Sequence, residues 1–191
     1  SHSRVFIVEV MGHKVGWVTL YAGIASGSDI ILLPEIPYDI DEVTKAVQQR
    51  QQSGHRFSII AIAEGAISKE DAQLSKKELK AKRAKENYSS ASEELAQRLA
   101  QKADVEIRVA NPGHMQRGGN PCAYDRVLAT RLGATASEMI LEKDYGKMAG
   151  IKNNVIIRVP LEEVAGKLKY VDPTSDVITE AKLAGISFGA K

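Results

Sequence analysis

A chain of 191 residues is long enough to bury the core of one large domain or of two small lobes. Its formal net charge of +2, with 26% charged residues, gives no strong attraction to nucleic acid or to membranes. The lone Cys122 excludes an intramolecular disulfide framework and a cysteine-rich zinc site, and no apolar run approaches the length of a membrane span. We therefore expect a globular protein of the cytoplasm that binds neither nucleic acid nor membrane.

The first element of the sequence is an apolar, β-branched segment at residues 4–10 (RVFIVEV). Its composition is typical of a strand that is buried on both faces of a parallel sheet. Only three residues precede it, whereas a domain seldom begins on such a core strand. We therefore expect the chain to be the C-terminal portion of a longer polypeptide.

Strands and helices alternate along the remaining sequence. In chain order, the patterns predict a helix over 17–25, a strand over 29–33, a helix over about 41–52, a strand over 57–63, one long or two consecutive helices within 69–103, a strand over 105–110, a helix over about 123–141, strand candidates at 148–151 and 155–159, and helices near 161–165 and over 175–184. This alternation predicts an α/β fold in which right-handed crossovers build a parallel sheet.

A lysine-rich run at residues 76–85 (KKELKAKRAK) raises the question of a nucleic-acid surface. Apart from Tyr88 it has no interleaved aromatic residue, and acidic residues follow closely. The pattern therefore favours the solvated face of a helix.

The segment with the most chemistry is residues 108–119 (RVANPGHMQRGG). Arg108 ends a β-rich run, a Pro-Gly turn follows, and His114, Gln116 and Arg117 then precede two glycines. Two guanidinium groups, an imidazole and an amide beside a flexible backbone suit a phosphorylated polar ligand. The alternative is a loop with incidental surface charge.

Polar residues follow three of the predicted strands. They are Met11-Gly12-His13, Glu64-Gly65 and the His114–Arg117 segment. Ligands of open α/β sheets gather at the carboxyl ends of strands, so we expect a binding site there. Each element also has a structural explanation, since Glu64 could cap a turn, His13 could be an ordinary loop histidine and Gly12 could permit a positive φ.

Four segments resemble a known family. They are residues 8–13 (VEVMGH), 16–35 (GWVTLYAGIASGSDIILLPE), 59–66 (IIAIAEGA) and 113–134 (GHMQRGGNPCAYDRVLATRLGA). From about Arg4 to Gly189, the sequence resembles the C-terminal half of the 6-phosphofructokinases. Those enzymes phosphorylate the 1-hydroxyl of fructose 6-phosphate with MgATP or, in some members, with pyrophosphate, giving fructose 1,6-bisphosphate.

The resemblance implies a fructose 6-phosphate site. The loop Met11, Gly12 and His13 would contact the sugar, and Glu64 would accept hydrogen bonds from its hydroxyls. The family usually has arginine at the position of His13, so that contact is weaker here or depends on protonation of the imidazole.

The resemblance also implies which residues bind the sugar phosphate and which reach into a neighbouring subunit. His114 and Arg117 would bind the sugar phosphate, with Met115 and Gln116 in the same segment. Arg4 and Arg108 match arginines that reach across a subunit interface into the active site of a neighbour. The site would therefore depend on a homo-oligomer.

The sequence departs from the family at two further places. Regulated bacterial members bind an effector nucleotide through basic residues, and Ser53 and His55 stand at two of those positions, although Asp29 matches an acidic member of that site. The Gly-Gly-Asp-Gly loop that holds the donor phosphates and the Thr-Ile-Asp-Asn-Asp segment that supplies the catalytic base do not occur in this sequence. We therefore expect no catalytic base and no metal ligand in this chain.

The resemblance also implies the fold and its division. The expected architecture is a parallel-sheet substrate domain of the phosphofructokinase type, with helices on both faces, plus part of the adjoining nucleotide-domain lobe. Residues 1–117 and 166–191 would form the substrate domain, whereas residues 118–165 would pack with a nucleotide domain outside this sequence. The helix over 123–141 would then expose apolar side chains.

The implied function is that of the acceptor half of a 6-phosphofructokinase, a glycolytic phosphotransferase that works as a homodimer or homotetramer. The chain alone would be inactive. Its expected partners are fructose 6-phosphate, the N-terminal nucleotide-binding half and further copies of itself, and the expected donor is ATP with Mg²⁺. Pyrophosphate as donor and a non-catalytic sugar-phosphate-binding regulatory subunit are the alternatives.

Overall fold

A computed structural model describes residues 4–86 and 88–190 of the chain. It divides into two compact units, of which the first comprises Ser1–Gln116 with Tyr170–Lys191 and the second comprises Arg117–Lys169. The assignment of these stretches to a substrate domain and a nucleotide-domain lobe stays a prediction.

The first unit is built on a sheet of four parallel strands. In chain order these are β1 Arg4–Val10, β2 Ile30–Leu32, β3 Phe57–Ala63 and β4 Glu106–Ala110. The strand order is β2-β3-β1-β4, so β1 lies between β3 and β4. The predicted parallel sheet is confirmed.

Helices cover this sheet on both sides. The helices of the first unit are α1 Trp17–Ala25, α2 Ile40–Gln52, α3 Lys76–Lys85, α4 Ala91–Ala100 and, after the second unit, α7 Asp176–Leu183. Helices α2 and α4 bury one apolar cluster against all four strands, with Val43 and Leu95 fully buried. Helices α1 and α7 bury a second cluster on the opposite face, against β2 and β3.

The expectation that residues 4–10 are buried on both faces was wrong for the first half of the strand. Val5 and Ile7 are buried beneath α2 and α4, but Arg4 and Phe6, which point to the opposite face, are exposed. The reason is the limited reach of the second cluster, whose strand residues come from β2 and β3. The apolar composition of β1 therefore records one buried face and an opposite face that is accessible at Arg4 and Phe6 but buried at Val10.

The second unit contains a helix and a two-stranded hairpin. Its elements are α5 Ala123–Leu141, β5 Lys147–Lys152, β6 Val155–Pro160 and α6 Leu161–Val164. Strands β5 and β6 pair antiparallel through Asn153 and Asn154, whose φ angles of 50° and 62° suit a tight hairpin turn. The two strand candidates are thus present, but they form a sheet of their own.

Serine caps explain why residues 69–103 form two helices. The Ser75 hydroxyl accepts a hydrogen bond from the Glu78 amide, and the Glu78 carboxylate accepts one from the Ser75 amide, which closes a capping box. Ser90 caps α4 in turn by accepting from the Glu93 amide. Each helix therefore has its own start signal, and a single long helix is excluded.

The lysine-rich helix α3 is more than a solvated face, because two of its cations bind buried carboxylates. Lys82 Nζ lies 2.5 Å from Asp71 Oδ1, and Arg83 Nε lies 3.1 Å from Glu94 Oε2. Arg98 of α4 joins both acids, at 2.8 Å from Asp71 and 2.7 Å from Glu94. The cluster ties α3 to α4 and to the loop after β3.

The two buried acids have opposite pKa shifts. Burial opposes ionisation of Asp71, but the hydrogen bond from Lys82 and the charge of Arg98 outweigh it and lower its pKa from 3.8 to about 2. Burial, together with the adjacent Asp71 carboxyl, raises the pKa of Glu94. The ionised form of Asp71 is therefore stabilised by folding.

We predict that Asp71→Asn destabilises the first unit by about 3 kcal/mol at pH 7, because it leaves the cations Lys82 and Arg98 without their buried partner. The unfolded pKa of Asp71 lies above the folded value, so this contribution is present above pH 4 and is lost as the pH falls towards 2. Urea unfolding followed by the fluorescence of Trp17, the one tryptophan of the chain, measures the difference.

Asp41→Asn is the matched control, since Asp41 is 73% exposed and pairs with Lys102. It should cost less than about 1 kcal/mol. Equal effects of the two substitutions would contradict a structural role for the buried cluster.

Candidate functional site

The carboxyl ends of β1, β3 and β4 lie side by side at one edge of the first unit. Because β1 pairs in register with both neighbours, Val10 lies opposite Ala63, and Val8 lies opposite Ala110. The loops that follow these strands therefore meet at that edge. Of the predicted site residues, the structure brings together here Met11, Gly12, His13, Glu64 and Gln116.

Glu64 holds the loop after β1 by its backbone. Its Oε1 accepts hydrogen bonds from the amide of Gly12, at 3.2 Å, and from the amide of His13. The side chain is exposed, so Oε2 remains accessible to a ligand. One carboxylate can thus order the loop and accept a hydrogen bond from a hydroxyl at the same time.

The loop after β1 passes very close to the loop after β3. A Cβ atom on Gly65 would lie 2.2 Å from the carbonyl oxygen of His13, and a Cβ on Gly12 would lie 2.7 Å from that of Val15. His13 itself has a φ of 56°, in the left-handed region that side chains seldom adopt. The two glycines are therefore required by space, and the hydrogen bonds of Glu64 hold a backbone that would otherwise relax.

Gln116 joins the β1 loop to the short 3-10 helix Gly113–Arg117. Its Oε1 accepts from the amide of Met11 at 3.0 Å, and its Nε2 donates to the carbonyls of Gly113 at 3.3 Å and Glu9 at 3.4 Å. The structure thus gives its amide a holding role between two loops. Its predicted contact with substrate stays a prediction.

The other residues of the short helix face solvent. His114 is exposed and Met115 is 83% exposed. Arg117 ends the helix, is exposed as well and falls in the second unit. Its part in phosphate binding stays a prediction of the resemblance.

A cavity of about 350 Å³ opens beside this edge of the sheet. Its lining residues are Glu9, His13, Glu64, Arg83, Tyr88, Ser89, Ser90 and Ala91. Carboxylates, hydroxyls and a guanidinium surround a volume that suits a small polyol better than an apolar ligand. The sequence did not predict that Arg83 and residues 88–91 line this cavity, because this part of the chain carries no motif.

Glu9 was not predicted to belong to the site, although the sequence contains a signal that singles it out. It is the one charged residue inside the segment VFIVEV, and its position alternates with Val5 and Ile7 on the buried face of β1. A carboxylate at such a position needs hydrogen-bond partners, and the chain supplies them from Ser92 and Asn111.

Arg4 and Arg108 lie elsewhere, on the accessible face of the sheet. Both bind Glu106, Arg4 through Nε at 3.0 Å and Arg108 through Nη2 at 2.7 Å, and the bonds from Arg108 and then Arg4 lower the pKa of that carboxyl. Their side chains are 54% and 60% exposed. The structure does not bring them to the strand-end site of the same chain.

Asp29, which the resemblance places at an acidic position of an effector site, is engaged within the chain. Its carboxylate pairs with Arg50 at 2.9 Å and accepts from the amide of Ile59 at 2.8 Å. A second cavity of about 370 Å³ is lined by Asp29, Arg50, Ser53 and His55 among others. Ser53 and His55, which the resemblance places at two basic positions of that site, thus line this cavity with Asp29.

Neither a group of metal ligands nor a membrane-spanning helix is found within residues 4–86 and 88–190. Among these residues, no three histidine, cysteine or carboxylate side chains are grouped so as to hold a metal ion. Within the same ranges, no helix combines the length and the apolar character that crossing a membrane requires.

Comparison with known proteins gives one consistent result. The sequence model of the family described as Phosphofructokinase matches residues 1–140. An ATP-dependent 6-phosphofructokinase of Spirochaeta thermophila is 47% identical over 189 residues, which are 99% of this chain and 52% of that protein. The chain therefore spans about half the length of such a curated relative.

Solved structures agree with this result. The crystal structure of Pichia pastoris phosphofructokinase in the T-state is 37% identical, with a TM-score of 0.68 over 85% of this chain and 16% of that one. A pyrophosphate-dependent phosphofructokinase from Nitrosospira multiformis has a TM-score of 0.74 over 98% of this chain and 49% of its own. At 18% identity, that second likeness concerns the fold alone.

We predict that Gly65→Ala displaces the loop after β1. The new methyl group would meet the carbonyl of His13, so the loop must move and lose its bonds to Glu64, at a cost of roughly 1–3 kcal/mol. Hydrogen–deuterium exchange of residues 11–15 should become faster. Gly133→Ala is the control, because beyond the adjacent residues and its own helix backbone no atom lies within 4 Å of the added Cβ, so the substitution should be neutral or slightly stabilising. Wild-type exchange in Gly65→Ala would show that the close approach is not required.

Proposed function

This chain belongs to the phosphofructokinase family, and from that premise we propose that it is the fructose 6-phosphate-binding half of an ATP-dependent 6-phosphofructokinase. The complete enzyme would transfer the γ-phosphoryl group of ATP to the 1-hydroxyl of fructose 6-phosphate in glycolysis. The observation that carries the proposal is the meeting of the β1, β3 and β4 loops at one sheet edge, each with polar groups suited to a sugar phosphate.

The sugar would bind at the loop Met11, Gly12 and His13. Glu64 holds this loop through Oε1, which leaves Oε2 to accept a hydrogen bond from a sugar hydroxyl. The imidazole of His13 lines the same cavity as Glu64. The chain would thereby orient the acceptor before any donor arrives, which lowers the entropic cost of bringing the two reactants together.

The phosphate of the sugar would bind at the segment His114–Arg117. His114 is exposed at the start of the short helix, and the guanidinium of Arg117 provides a fork for phosphate oxygens. Met115 and Gln116 complete the segment, with Gln116 fixing it against the end of β1.

Phosphoryl transfer also needs a metal-bound donor and a base near the acceptor hydroxyl. The carboxylates at the cavity do not form a magnesium site, because Glu9 gives both oxygens to protein donors and Glu64 gives Oε1 to two amides. We therefore assign ATP, Mg²⁺ and the catalytic base to an N-terminal half outside this chain. Within this chain, the residues bind and orient the acceptor.

Oligomer formation completes the proposal. Arg4 and Arg108 lie on an accessible sheet face beside Phe6, which is 36% exposed, and Phe57, which is 52% exposed. A face that combines aromatic side chains with arginines suits a protein interface. We propose that a second copy covers it, as a homodimer or within a homotetramer, and receives the two arginines in its own active site.

ATP is the proposed donor because curated relatives of this chain carry that word in their names. The relative from Spirochaeta thermophila is 47% identical, and ATP-dependent 6-phosphofructokinase 3 of Bacteroides thetaiotaomicron is 39% identical. The likeness to a pyrophosphate-dependent enzyme at 18% identity carries no weight on this point.

The test is calorimetric titration of the chain with fructose 6-phosphate, repeated after addition of the N-terminal half and MgATP. Binding by the chain alone would mean that the acceptor site is preformed. Binding and turnover only after complementation would mean that the site needs the assembled enzyme. Binding without turnover would favour a regulatory subunit, and no binding in either state would refute the proposal. Inorganic phosphate and fructose are the ligand controls.

We predict that Glu64→Gln and Glu64→Ala separate the two tasks of this side chain. The amide keeps an oxygen for the amides of Gly12 and His13 but replaces Oε2 by a donor, so affinity for fructose 6-phosphate should fall about tenfold or more while the loop stays ordered. The alanine variant should also speed amide exchange in residues 11–15. Glu180→Gln, on the exposed side of α7, is the control. Equal loop exchange in both Glu64 variants would exclude the holding role.

A further inference from the structure

We propose that Glu9 is a positioning residue for the acceptor phosphate, acting through Asn111 on the backbone at Gly113. This inference rests on the proposed function, in which the segment after Gly113 binds the phosphate of fructose 6-phosphate. It assigns a task to a buried carboxylate whose two oxygens both accept hydrogen bonds from protein donors.

Glu9 is fixed from one side by helix α4. Only 7% of the residue is exposed, and its Oε2 accepts from both the amide of Ser92, at 2.8 Å, and the hydroxyl of Ser92, at 2.7 Å. Ser92 lies in the first turn of α4, where backbone N–H groups and the helix dipole favour a negative charge. The carboxylate is therefore held in one orientation.

From the other side, Glu9 fixes the turn that precedes the short helix. Its Oε1 accepts from Asn111 Nδ2 at 3.2 Å, across 102 residues of sequence. The Asn111 Oδ1 in turn accepts from the amide of Gly113 at 3.1 Å. Gly113 has a φ of 54°, one of several conformations open to glycine, and this bond selects it.

The link has a fixed direction of hydrogen bonding. The amide and the hydroxyl of Ser92 both donate to Glu9, whose ionised carboxylate can only accept. The side-chain amide of Asn111 donates to Glu9 through Nδ2 and accepts from the backbone amide of Gly113 through Oδ1. A side-chain amide at position 9 would place a donor against either Ser92 or Asn111. If the side-chain amide of Asn111 rotated by 180°, its Nδ2 would instead face the backbone amide of Gly113, again donor against donor. Glu9→Gln thus leaves one donor facing another in every arrangement.

The same strand end holds the segment at a second point. The backbone carbonyl of Glu9 accepts from Gln116 Nε2 at 3.4 Å, and the amide of Met11 donates to Gln116 Oε1 at 3.0 Å. The segment 113–116 is therefore tied to β1 at both of its ends. Loss of the Glu9–Asn111 tie should loosen the end that carries His114.

The experiment compares three variants of the complete protein that carries this chain: Glu9→Gln, Asn111→Asp and the double variant. Each single variant should raise the KM for fructose 6-phosphate about tenfold, the effect of losing one well-placed hydrogen bond, with the KM for ATP changed less than about twofold. Amide exchange at residues 113–117 should become faster in both. Asn111→Asp acts by setting one acceptor against another.

The double variant is the decisive arm. The introduced amide at position 9 can accept from Ser92 and donate to the introduced carboxylate at position 111, which also accepts from Gly113. Every donor then meets an acceptor again, and the net charge equals that of the wild type. Both the KM for fructose 6-phosphate and the exchange at residues 113–117 should return to within about threefold of wild type.

Asp71→Asn is the control for stability, since it weakens the fold at the buried ion cluster without touching this link. Wild-type KM values in both single variants, or a double variant as impaired as the singles, would overturn the proposal. A loss in the singles that matches that of Asp71→Asn would mean a role in stability alone. A wild-type protein that neither binds nor phosphorylates fructose 6-phosphate would instead refute the proposed function, while the exchange data would still report on the link.

Discussion

The pairing of β1 with β3 on one side and with β4 on the other is the constraint on which the site depends. Parallel strands in register end at the same edge, so one set of backbone hydrogen bonds delivers three loops to one place. Glu64, Glu9 and Gln116 then add side-chain bonds that fix those loops to each other. The sheet sets the position of the site, and these polar groups set its conformation.

Buried carboxylates perform two different tasks in the first unit. Asp71 meets the cations Lys82 and Arg98, and their attraction offsets the cost of burying its charge. Glu9 has neutral partners instead, an amide, a hydroxyl and a side-chain amide. Such partners offer less attraction than a cation but have a fixed donor direction. A cationic cluster therefore suits the attachment of a helix, whereas a directed link suits the orientation of a turn.

Local patterns in the sequence were sufficient to predict most of the fold. The apolar runs of β1 and β3 and the caps of the helices act within a few residues, and the parallel sheet follows from their alternation. The accessible face of β1 could not be predicted, because it depends on how far α1 and α7 extend across the sheet. The same holds for the site, where the strand-end loops were predictable, but Asn111 meets Glu9 across 102 residues and carries no motif.

The accessible face of β1 and β4 offers the clearest reason why this chain would work as part of an assembly. Arg4 and Arg108 converge on one carboxylate, Glu106, so the three groups form a cluster with an excess of positive charge. Exposed ion pairs contribute little to the stability of a single chain, so stability does not explain two arginines on one acid. Burial of the exposed side chains of Phe6 and Phe57 against a second subunit would add favourable hydrophobic free energy. In the proposed homo-oligomer, a sugar phosphate of the neighbouring subunit would replace Glu106 as partner of the arginines, since its charge and oxygen geometry also match guanidinium groups. Subunit contact and phosphate binding would then stabilise each other, because the contact brings the arginines to the phosphate and the phosphate holds the arginines in the contact.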